Sequence, residues 1–318
     1  MKAVRYHSYG GSDVLVYEDA DRPVAGAGEV VLRVAGTAFN LLDAAIRAGL
    51  LQQVFPVELP HIPNHDVAGV ITAVGADVSD WSVGDAVVGF LPPAAAGAAA
   101  EYVAAPAETL AAAPRTGDLA DAAALPSVGL AAWQALFEHA DMKPGQSVLI
   151  DGAGGAVGGY AVQLADQAGA TVTATASARS HDRIRSYGAN RIVDYTVTPI
   201  AQAVAGQRFD VVLHLAPTRP DLETTSPEEI TQLLDLVADG GAFVSTTTSG
   251  PEDAGRGLRT VRVFTRSDPT QLAELVTRVD AGDLKIDVAE RRALTDLAAV
   301  HDLAAAGQLA GKTILIPA

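Results

Sequence analysis

Residues 146–167 read QSVLIDGAGGAVGGYAVQLADQ, and this stretch decides the class of fold. QSVLI is a short apolar run typical of a buried strand, residues 151–158 form a glycine-rich turn, and the residues that follow have the amphipathic pattern of a helix. A strand that leads through such a turn into a helix is the arrangement that a dinucleotide site requires. The sequence therefore predicts a nucleotide-binding unit built around this turn.

Three small residues in the turn are predicted to have different structural roles. Ala153 permits a tight turn, Gly155 leaves room for a pyrophosphate, and Gly158 lets the helix pack closely on the strand. The amides at the start of the helix, at Ala156 and Val157, would then face the phosphates. A glycine-rich turn without a ligand is the alternative, and the surrounding alternation of strands and helices argues against it.

The pattern of predicted strands and helices changes near residue 121. Before it, short β-rich runs separated by Gly, Pro and Asp predict a partly closed β domain, interrupted by a helix that starts after Asn40 as N-cap, with Asp43 in its first turn. After it, apolar strands alternate with helical segments, which predicts a parallel sheet covered on both faces. The final helical stretch and the strand KTILIP at 312–317 could complete either domain.

Composition and charge exclude several classes of protein. Lys and Arg number 22 and Asp and Glu 38, so a net charge of -16 disfavours binding to nucleic acid or to an anionic membrane surface. No stretch approaches the roughly 20 apolar residues that span a bilayer, and no apolar run follows the start of the chain, so we expect a cytoplasmic protein. The chain has no cysteine, which excludes any zinc site built on sulfur.

The second predicted strand of the nucleotide-binding unit ends in TATASARSHD at 173–182, and this segment bears on the choice of cofactor. A site that prefers NAD usually offers Asp or Glu here to the ribose hydroxyls, whereas this chain offers Ser177 and Arg179. Arg179 could bind a 2′-phosphate, which favours NADPH. The alternative is an ordinary solvated arginine on the surface.

The chain resembles the zinc-independent quinone oxidoreductases of the medium-chain dehydrogenase/reductase superfamily over essentially its whole length. The matching stretches, in the same order and spacing, are MKAVRYHSYGG, GEVVLRVAGTAFNLLDAAIRAG, HDVAGVITAVGADVSDWSVGDAVVGF, AEYV, GLAAWQALF, GAGGAVGGYAVQLA and RIVDY. The resemblance implies an α/β protein with a GroES-like catalytic β domain (1–120 and 267–318) and an inserted Rossmann domain with a doubly wound parallel sheet (121–266). It also implies an active site in the cleft between them and a homodimer, in which the predicted edge strand LRTVRVF would extend the sheet.

His65 and Asp66 stand where zinc-dependent relatives of this superfamily carry a His-Glu pair whose histidine binds catalytic zinc. The family's other ligand positions fall at Asn40 and near Val128, so we expect no bound metal. Some relatives place tyrosines over the cofactor, but this chain has Ala45 and Leu51 there.

Without a metal, the expected chemistry is hydride delivery from the nicotinamide to an electrophilic acceptor, a small hydrophobic quinone or an enone. Asn40 and main-chain amides are candidates to bind the developing oxyanion, with helix capping as the alternative role of Asn40 and Asp43. His65 could donate a hydrogen bond or a proton to the acceptor, or it could be a neutral buried imidazole.

Further cofactor contacts follow from the resemblance or from position in the sequence. The resemblance implies that Tyr195 binds the 2′-phosphate, and His214 and Leu215, after the fourth strand of the predicted sheet, are candidate nicotinamide contacts. Apolar residues of the loops at 48–60 and 214–226 are predicted to line the acceptor pocket.

Three functions remain open at this point. The first is an NADPH-dependent quinone reductase, and the second is an enoyl or alkenal reductase, for instance in a biosynthetic pathway. The third is a nucleotide-binding relative with little turnover. Rapid consumption of NADPH with any quinone or enone would exclude the third.

We predict that the protein prefers NADPH over NADH, because the tip of the second strand carries Ser177 and Arg179 in place of a carboxylate. Measured dissociation constants for both cofactors should favour NADPH, and Arg179→Ala should reduce that preference. Equal affinities of the wild type for NADPH and NADH would contradict the prediction.

Overall fold

The computed structural model describes residues 1–216, 227–250 and 255–318. The chain forms two compact units, one of Met1–Ser127 together with Ser267–Ala318 and the other of Val128–Arg266. In the described residues, no helix is both long enough and apolar enough to cross a bilayer.

The strands, in chain order, are β1 (Lys2–Arg5), β2 (Val16–Asp19), β3 (Glu29–Ala38), β4 (Asp66–Val74), β5 (Ala86–Phe90), β6 (Tyr102–Pro106), β7 (Leu110–Ala112), β8 (Ser147–Asp151), β9 (Thr171–Thr175), β10 (Arg191–Val193), β11 (Phe209–His214), β12 (Val237–Ser245), β13 (Arg259–Arg262), β14 (Glu290–Ala293) and β15 (Thr313–Ile316). The α-helices are α1 (Leu41–Arg47), α2 (Pro126–Trp133), α3 (Ala156–Gln167), α4 (His181–Ser186), α5 (Ile200–Ala203), α6 (Pro227–Asp235), α7 (Pro269–Ala281) and α8 (Leu297–Ala305).

The second unit contains a six-stranded sheet in the order β10-β9-β8-β11-β12-β13, and every pairing in it is parallel. Its strands bury apolar side chains such as Leu149, Val212 and Phe243. The strand order reverses between β8 and β11, and in such sheets a ligand binds beyond the carboxyl ends of the strands at that switch point. The predicted doubly wound parallel sheet is confirmed.

The first unit is built on a seven-stranded sheet in the order β14-β15-β3-β4-β5-β7, with β6 also paired to β3. Its core contains Leu32, Val67, Ile71 and Val87, all fully buried. The last strand, β15, pairs antiparallel with β3, with Ile314 opposite Ala38. The C-terminal segment thus completes the first unit, which the sequence pattern alone had left open.

The first unit extends to Ser127, beyond the sequence-based boundary at 120/121. A 3-10 helix at Ala120–Ala124 packs directly on β3, so closely that a Cβ on Gly36 would lie 2.6 Å from the carbonyl oxygen of Ala120. This alanine-rich turn therefore packs with the strands that precede it in sequence.

One predicted helix is shorter than its sequence pattern. The sequence EEITQLLDLVADGG at 228–241 has a helical pattern, but α6 ends at Asp235 and residues 237–241 begin β12. Val237 pairs with Phe209 on β11, and Gly240 adopts a left-handed φ of 75°. Strand pairing outweighs the local helix pattern here, because it buries the apolar side chains of this segment.

Candidate functional site

The glycine turn connects β8 to α3 in the second unit. Gly155 is the N-cap of the helix, with extended backbone, and Ala153 is fully buried. A Cβ on Gly158 would lie 2.5 Å from the Cα of Ala153, so only glycine fits where the helix crosses the strand end. Ala153 and Gly158 thus lie in the packed part of the turn.

Gly155 occupies the open side of the same turn. A Cβ built there would meet only the carbonyl oxygen of Gly152, at 3.3 Å. The first amides of a helix have no partner within it, so those of Ala156 and Val157 are left to bind a ligand. Open space beside helix-start amides fits the pyrophosphate of a dinucleotide.

Three strand ends beside the turn are joined by a buried polar network. The Thr175 hydroxyl donates to Asp151 Oδ1 at 2.8 Å, and Asp151 Oδ2 lies 2.7 Å from His214 Nδ1. Asp151 and Thr175 were not among the predicted site residues, although each is a polar residue that ends an apolar strand. His214, predicted to contact the nicotinamide, is buried and bonded to Asp151.

The predicted 2′-phosphate residues lie at neighbouring strand ends. β9 and β10 pair in parallel with Thr175 opposite Val193, so the segments that carry Ser177 and Tyr195 leave the sheet side by side. Arg179 is exposed and makes no hydrogen bond or ion pair with any residue that the structure describes. Tyr195 is also exposed.

A second arginine near the turn was not anticipated. The guanidinium of Arg183, on α4, donates to the carbonyl oxygen of Gly154 at 2.6 Å. This bond ties α4 to the turn and places another cation beside the region where phosphates would lie. The sequence of α4, HDRIRS, does not indicate that one of its arginines contacts the turn.

In the first unit, His65 pairs with Asp43 rather than with its neighbour Asp66. The Nδ1 atom of His65 lies 2.8 Å from Asp43 Oδ1, and both side chains are 1% exposed. The other carboxylate oxygen of Asp43 accepts the backbone N–H of Asn40 at 2.8 Å, so Asp43 also caps α1. The Nε2 atom of His65 is buried and has no hydrogen-bond partner among the described residues.

Asp66 is the centre of a separate buried network. Its carboxylate accepts hydrogen bonds from Asn40 Nδ2 at 3.0 Å, Lys312 Nζ at 3.0 Å, and the N–H and hydroxyl of Ser127 at 2.8 and 2.6 Å. Lys312 also donates to Asn40 Oδ1 at 2.5 Å. The side chain of Asn40 therefore does more than cap a helix, and Lys312 and Ser127 are site residues that the sequence analysis missed.

The amide of Asn40 has a defined orientation for this reason. Its oxygen faces the ammonium of Lys312, and its nitrogen faces the carboxylate of Asp66, which is the only assignment that pairs donors with acceptors. One of the two amide hydrogens is donated to Asp66, and no acceptor for the second is found among the described residues.

The rings of His61 and Tyr6 form a cluster with His65 in the first unit. The centroids of His65 and His61 lie 6.1 Å apart, and those of His61 and Tyr6 5.4 Å apart. Burial, and then the neighbouring His65, lower the pKa of His61 to about 4, while burial raises the pKa of the Tyr6 hydroxyl well above its ordinary value. His61 is therefore neutral and Tyr6 protonated at physiological pH.

Apolar residues of the loop at 48–60 are accessible, as a pocket wall requires. Leu50 is 78% and Val54 57% exposed. Residues 217–226 of the other predicted acceptor loop lie outside the described residues.

Two family models match the chain. An alcohol dehydrogenase GroES-like domain matches residues 26–115, and a model described as a zinc-binding dehydrogenase matches residues 187–315. The first match confirms the predicted GroES-like fold of the first unit.

Three curated relatives differ in the reaction for which they are named. A chloroplastic quinone oxidoreductase of Triphysaria versicolor is 29% identical over 100% of this chain and 98% of its own length. A 2-haloacrylate reductase of a Burkholderia species is 30% identical over 100% of this chain and 99% of its own. A chloroplastic NADPH-dependent alkenal/one oxidoreductase of Arabidopsis thaliana is 36% identical over 67% of this chain and 56% of its own.

Solved structures extend the similarity to the whole fold. The quinone oxidoreductase of Coxiella burnetii has a TM-score of 0.86 and 28% identity, over 99% of each chain. An NAD-dependent alcohol dehydrogenase has a TM-score of 0.87 and 28% identity, also over 99% of each chain.

We predict that acid destabilises the fold partly through His61. Its folded-state pKa of about 4 lies below the ordinary value of 6.5, so between these pH values the unfolded chain binds a proton that the folded chain does not. Its contribution is fully present above pH 6.5 and is lost as the pH falls towards 4. At pH 5 the loss is roughly 2 kcal/mol.

Urea denaturation at pH 7 and pH 5 measures this loss, and His61→Phe should make the fall in unfolding free energy smaller. His139→Phe, which removes a half-buried imidazole of the other unit, is the control, and the fall in unfolding free energy should stay as in the wild type. An identical fall in the wild type and in His61→Phe would contradict the assignment.

Proposed function

We propose that this chain, which belongs to the quinone oxidoreductase-like family of the medium-chain dehydrogenase/reductase superfamily, is an NADPH-dependent reductase of a quinone or another activated acceptor and works without zinc. The observation that carries the proposal is the glycine turn at the switch point of the parallel sheet, open at Gly155 and lined by helix-start amides. A nicotinamide cofactor is common to this superfamily, and the turn fits its pyrophosphate.

The preference for NADPH is supported by the charges near the end of β9. Arg179 is exposed and unpaired among the described residues, and Ser177 is beside it. In the adjacent segment, the carboxylate of Asp194 already accepts two hydrogen bonds from Thr196. One relative is named as NADPH-dependent, whereas one structural neighbour is named as NAD-dependent, so the family alone does not decide between the two cofactors.

The residues present do not fit a catalytic zinc ion. The chain has no cysteine, and the described residues contain no group of three His, Cys, Asp or Glu side chains close enough to bind a metal. The oxygen of Asn40, at one former ligand position, faces the ammonium of Lys312, which would repel a cation. We therefore propose a zinc-independent enzyme, and elemental analysis that found stoichiometric zinc, removable with loss of activity, would overturn this.

When bound, the cofactor supplies a hydride to the electrophilic carbon or ring of the acceptor. The acceptor oxygen then becomes negative and needs a hydrogen-bond donor or a proton. The second amide hydrogen of Asn40 can stabilise this oxygen. Because Asn40 is held by Asp66 and Lys312, it needs little reorganisation to do so.

His65 is the proposed proton donor. Asp43 can only accept, so the Nδ1 atom of His65 carries a hydrogen, and the Nε2 atom is the one that can face an acceptor. The hydrogen bond to Asp43 orients the imidazole, and a proton carried on Nε2 could pass to the oxygen of the acceptor. An unpartnered buried Nε2 atom is consistent with a group that obtains its partner when the acceptor binds.

A carbon-carbon double-bond reductase is the second candidate. It is favoured by full-length similarity to a 2-haloacrylate reductase and by partial similarity to the alkenal/one oxidoreductase. The same arrangement of Asn40 and His65 would serve it, because reduction of an enone also places negative charge on an oxygen.

We also propose a homodimer formed through β13. This strand lies at the edge of the sheet and pairs only with β12 among the described strands. Phe264, just beyond it, is 69% exposed. Sedimentation equilibrium tests this proposal, and a monomer at micromolar concentration would contradict it.

A screen of quinones, enones and enoyl thioesters with NADPH tests the function. Consumption of NADPH with quinones and little saturation of double bonds would support the first candidate, and a product two mass units heavier from an enone would support the second. Binding of NADPH without turnover on any of these acceptors would contradict both.

We predict that His65→Ala lowers kcat by about 10²- to 10⁴-fold on the best acceptor and leaves the dissociation constant of NADPH nearly unchanged. His65→Gln should recover part of the loss if hydrogen bonding suffices. His301→Ala is the matched control, because it empties the site of another buried histidine in the same unit. Near wild-type kcat and an unchanged pH profile in His65→Ala would show that His65 is structural.

A further inference from the structure

A chain of three hydrogen bonds lies beneath the glycine turn. The N–H of Gly152 donates to Thr175 Oγ1 at 2.9 Å, the Thr175 hydroxyl donates to Asp151 Oδ1 at 2.8 Å, and Asp151 Oδ2 lies 2.7 Å from His214 Nδ1. Thr175, Asp151 and His214 are 0%, 6% and 1% exposed. These residues end β9, β8 and β11, the three central strands on either side of the switch point.

The direction of each bond follows from the chemistry of the groups. A backbone amide only donates, so the Thr175 oxygen accepts from Gly152 and its single hydrogen is left for Asp151. A carboxylate only accepts, so the hydrogen between Asp151 and His214 belongs to Nδ1. Removal of the Thr175 hydroxyl would leave the N–H of Gly152 without this acceptor and Asp151 without this donor.

The turn has little freedom to move away from this network. Gly152 has a left-handed φ of 87°, and a Cβ there would lie 2.8 Å from the backbone nitrogen of Ala216. The N–H of Leu215 donates to the carbonyl oxygen of Asp151 at 2.8 Å, which joins the ends of β8 and β11 through the backbone as well. The position of Gly152 fixes where the turn begins, and through it where Gly155 and the helix-start amides lie.

We infer that Thr175, Asp151 and His214 are positioning residues that hold the glycine turn in the geometry that binds the cofactor pyrophosphate. The inference rests on the proposed function, since it requires that this turn binds NADPH. It assigns His214 a supporting role beneath the turn, in place of the direct contact with nicotinamide that its sequence position suggested.

Titration of the full-length protein with NADPH, followed by the fluorescence of the reduced nicotinamide, tests the inference. Thr175→Val keeps the shape of the side chain and removes the hydroxyl, so it should raise the dissociation constant by about tenfold. Thr175→Ser restores the hydroxyl and should bind within about twofold of the wild type. The KM for NADPH in Thr175→Val should rise more than kcat falls, which a purely structural role would not produce.

Thr173→Val is the matched control. Thr173 lies two residues earlier on β9, faces the same side of the sheet, and is similarly buried at 6% exposure. Urea denaturation of each variant reports folding. If Thr175→Val does not fold, Asp151→Asn is used in its place, because it keeps the shape of the side chain and removes the charge. The same loss of affinity for NADPH is expected of it. Wild-type affinity in the folded variant would overturn the inference, as would an equal loss in Thr173→Val. A wild type that binds neither NADPH nor NADH would instead overturn the proposed function.

Discussion

The buried ion pair between Asp66 and Lys312 is the interaction on which the first unit depends. Removal of two charges from water costs several kcal/mol per ion, and only good geometry with additional hydrogen bonds offsets that cost. Asp66 meets this condition, because Asn40 and Ser127 occupy the remaining positions around its carboxylate. The network joins β4, the residue before α1, the first turn of α2, and the residue that precedes β15. The last strand is therefore fixed to the middle of the sheet by charge as well as by pairing.

This network also determines the surroundings of His65. Asn40 is held by the ion pair, α1 begins directly after it, and Asp43 in the first turn of α1 holds His65. The adjacent residues His65 and Asp66 thus have different partners. The carboxylate of Asp66 joins parts of the fold, and the imidazole of His65 has a buried Nε2 atom without a hydrogen-bond partner among the described residues.

In the second unit the determining constraint is the all-parallel sheet. Parallel strands end at the same edge, so the polar residues that terminate β8, β9 and β11 meet beneath the glycine turn although they are far apart in sequence. The turn then has a packed side at Ala153 and Gly158 and an open side at Gly155. This division explains how one short stretch can combine close packing with room for a ligand.

The sequence by itself determined the glycine turn, the parallel sheet, the β-rich first unit and the helix cap at Asn40 and Asp43, because each is specified by local pattern: small residues at fixed spacing, strand and helix periodicity, and a polar residue at a helix start. Only the tertiary structure decided the partners. These partners are distant in the chain. His65 pairs with Asp43, Asp66 pairs with Lys312, Arg183 contacts the turn, and Thr175 and Asp151 lie beneath it. Local periodicity indicates that a polar residue is buried, but the identity of its partner follows from the way the strands and helices pack, which no single stretch of sequence contains.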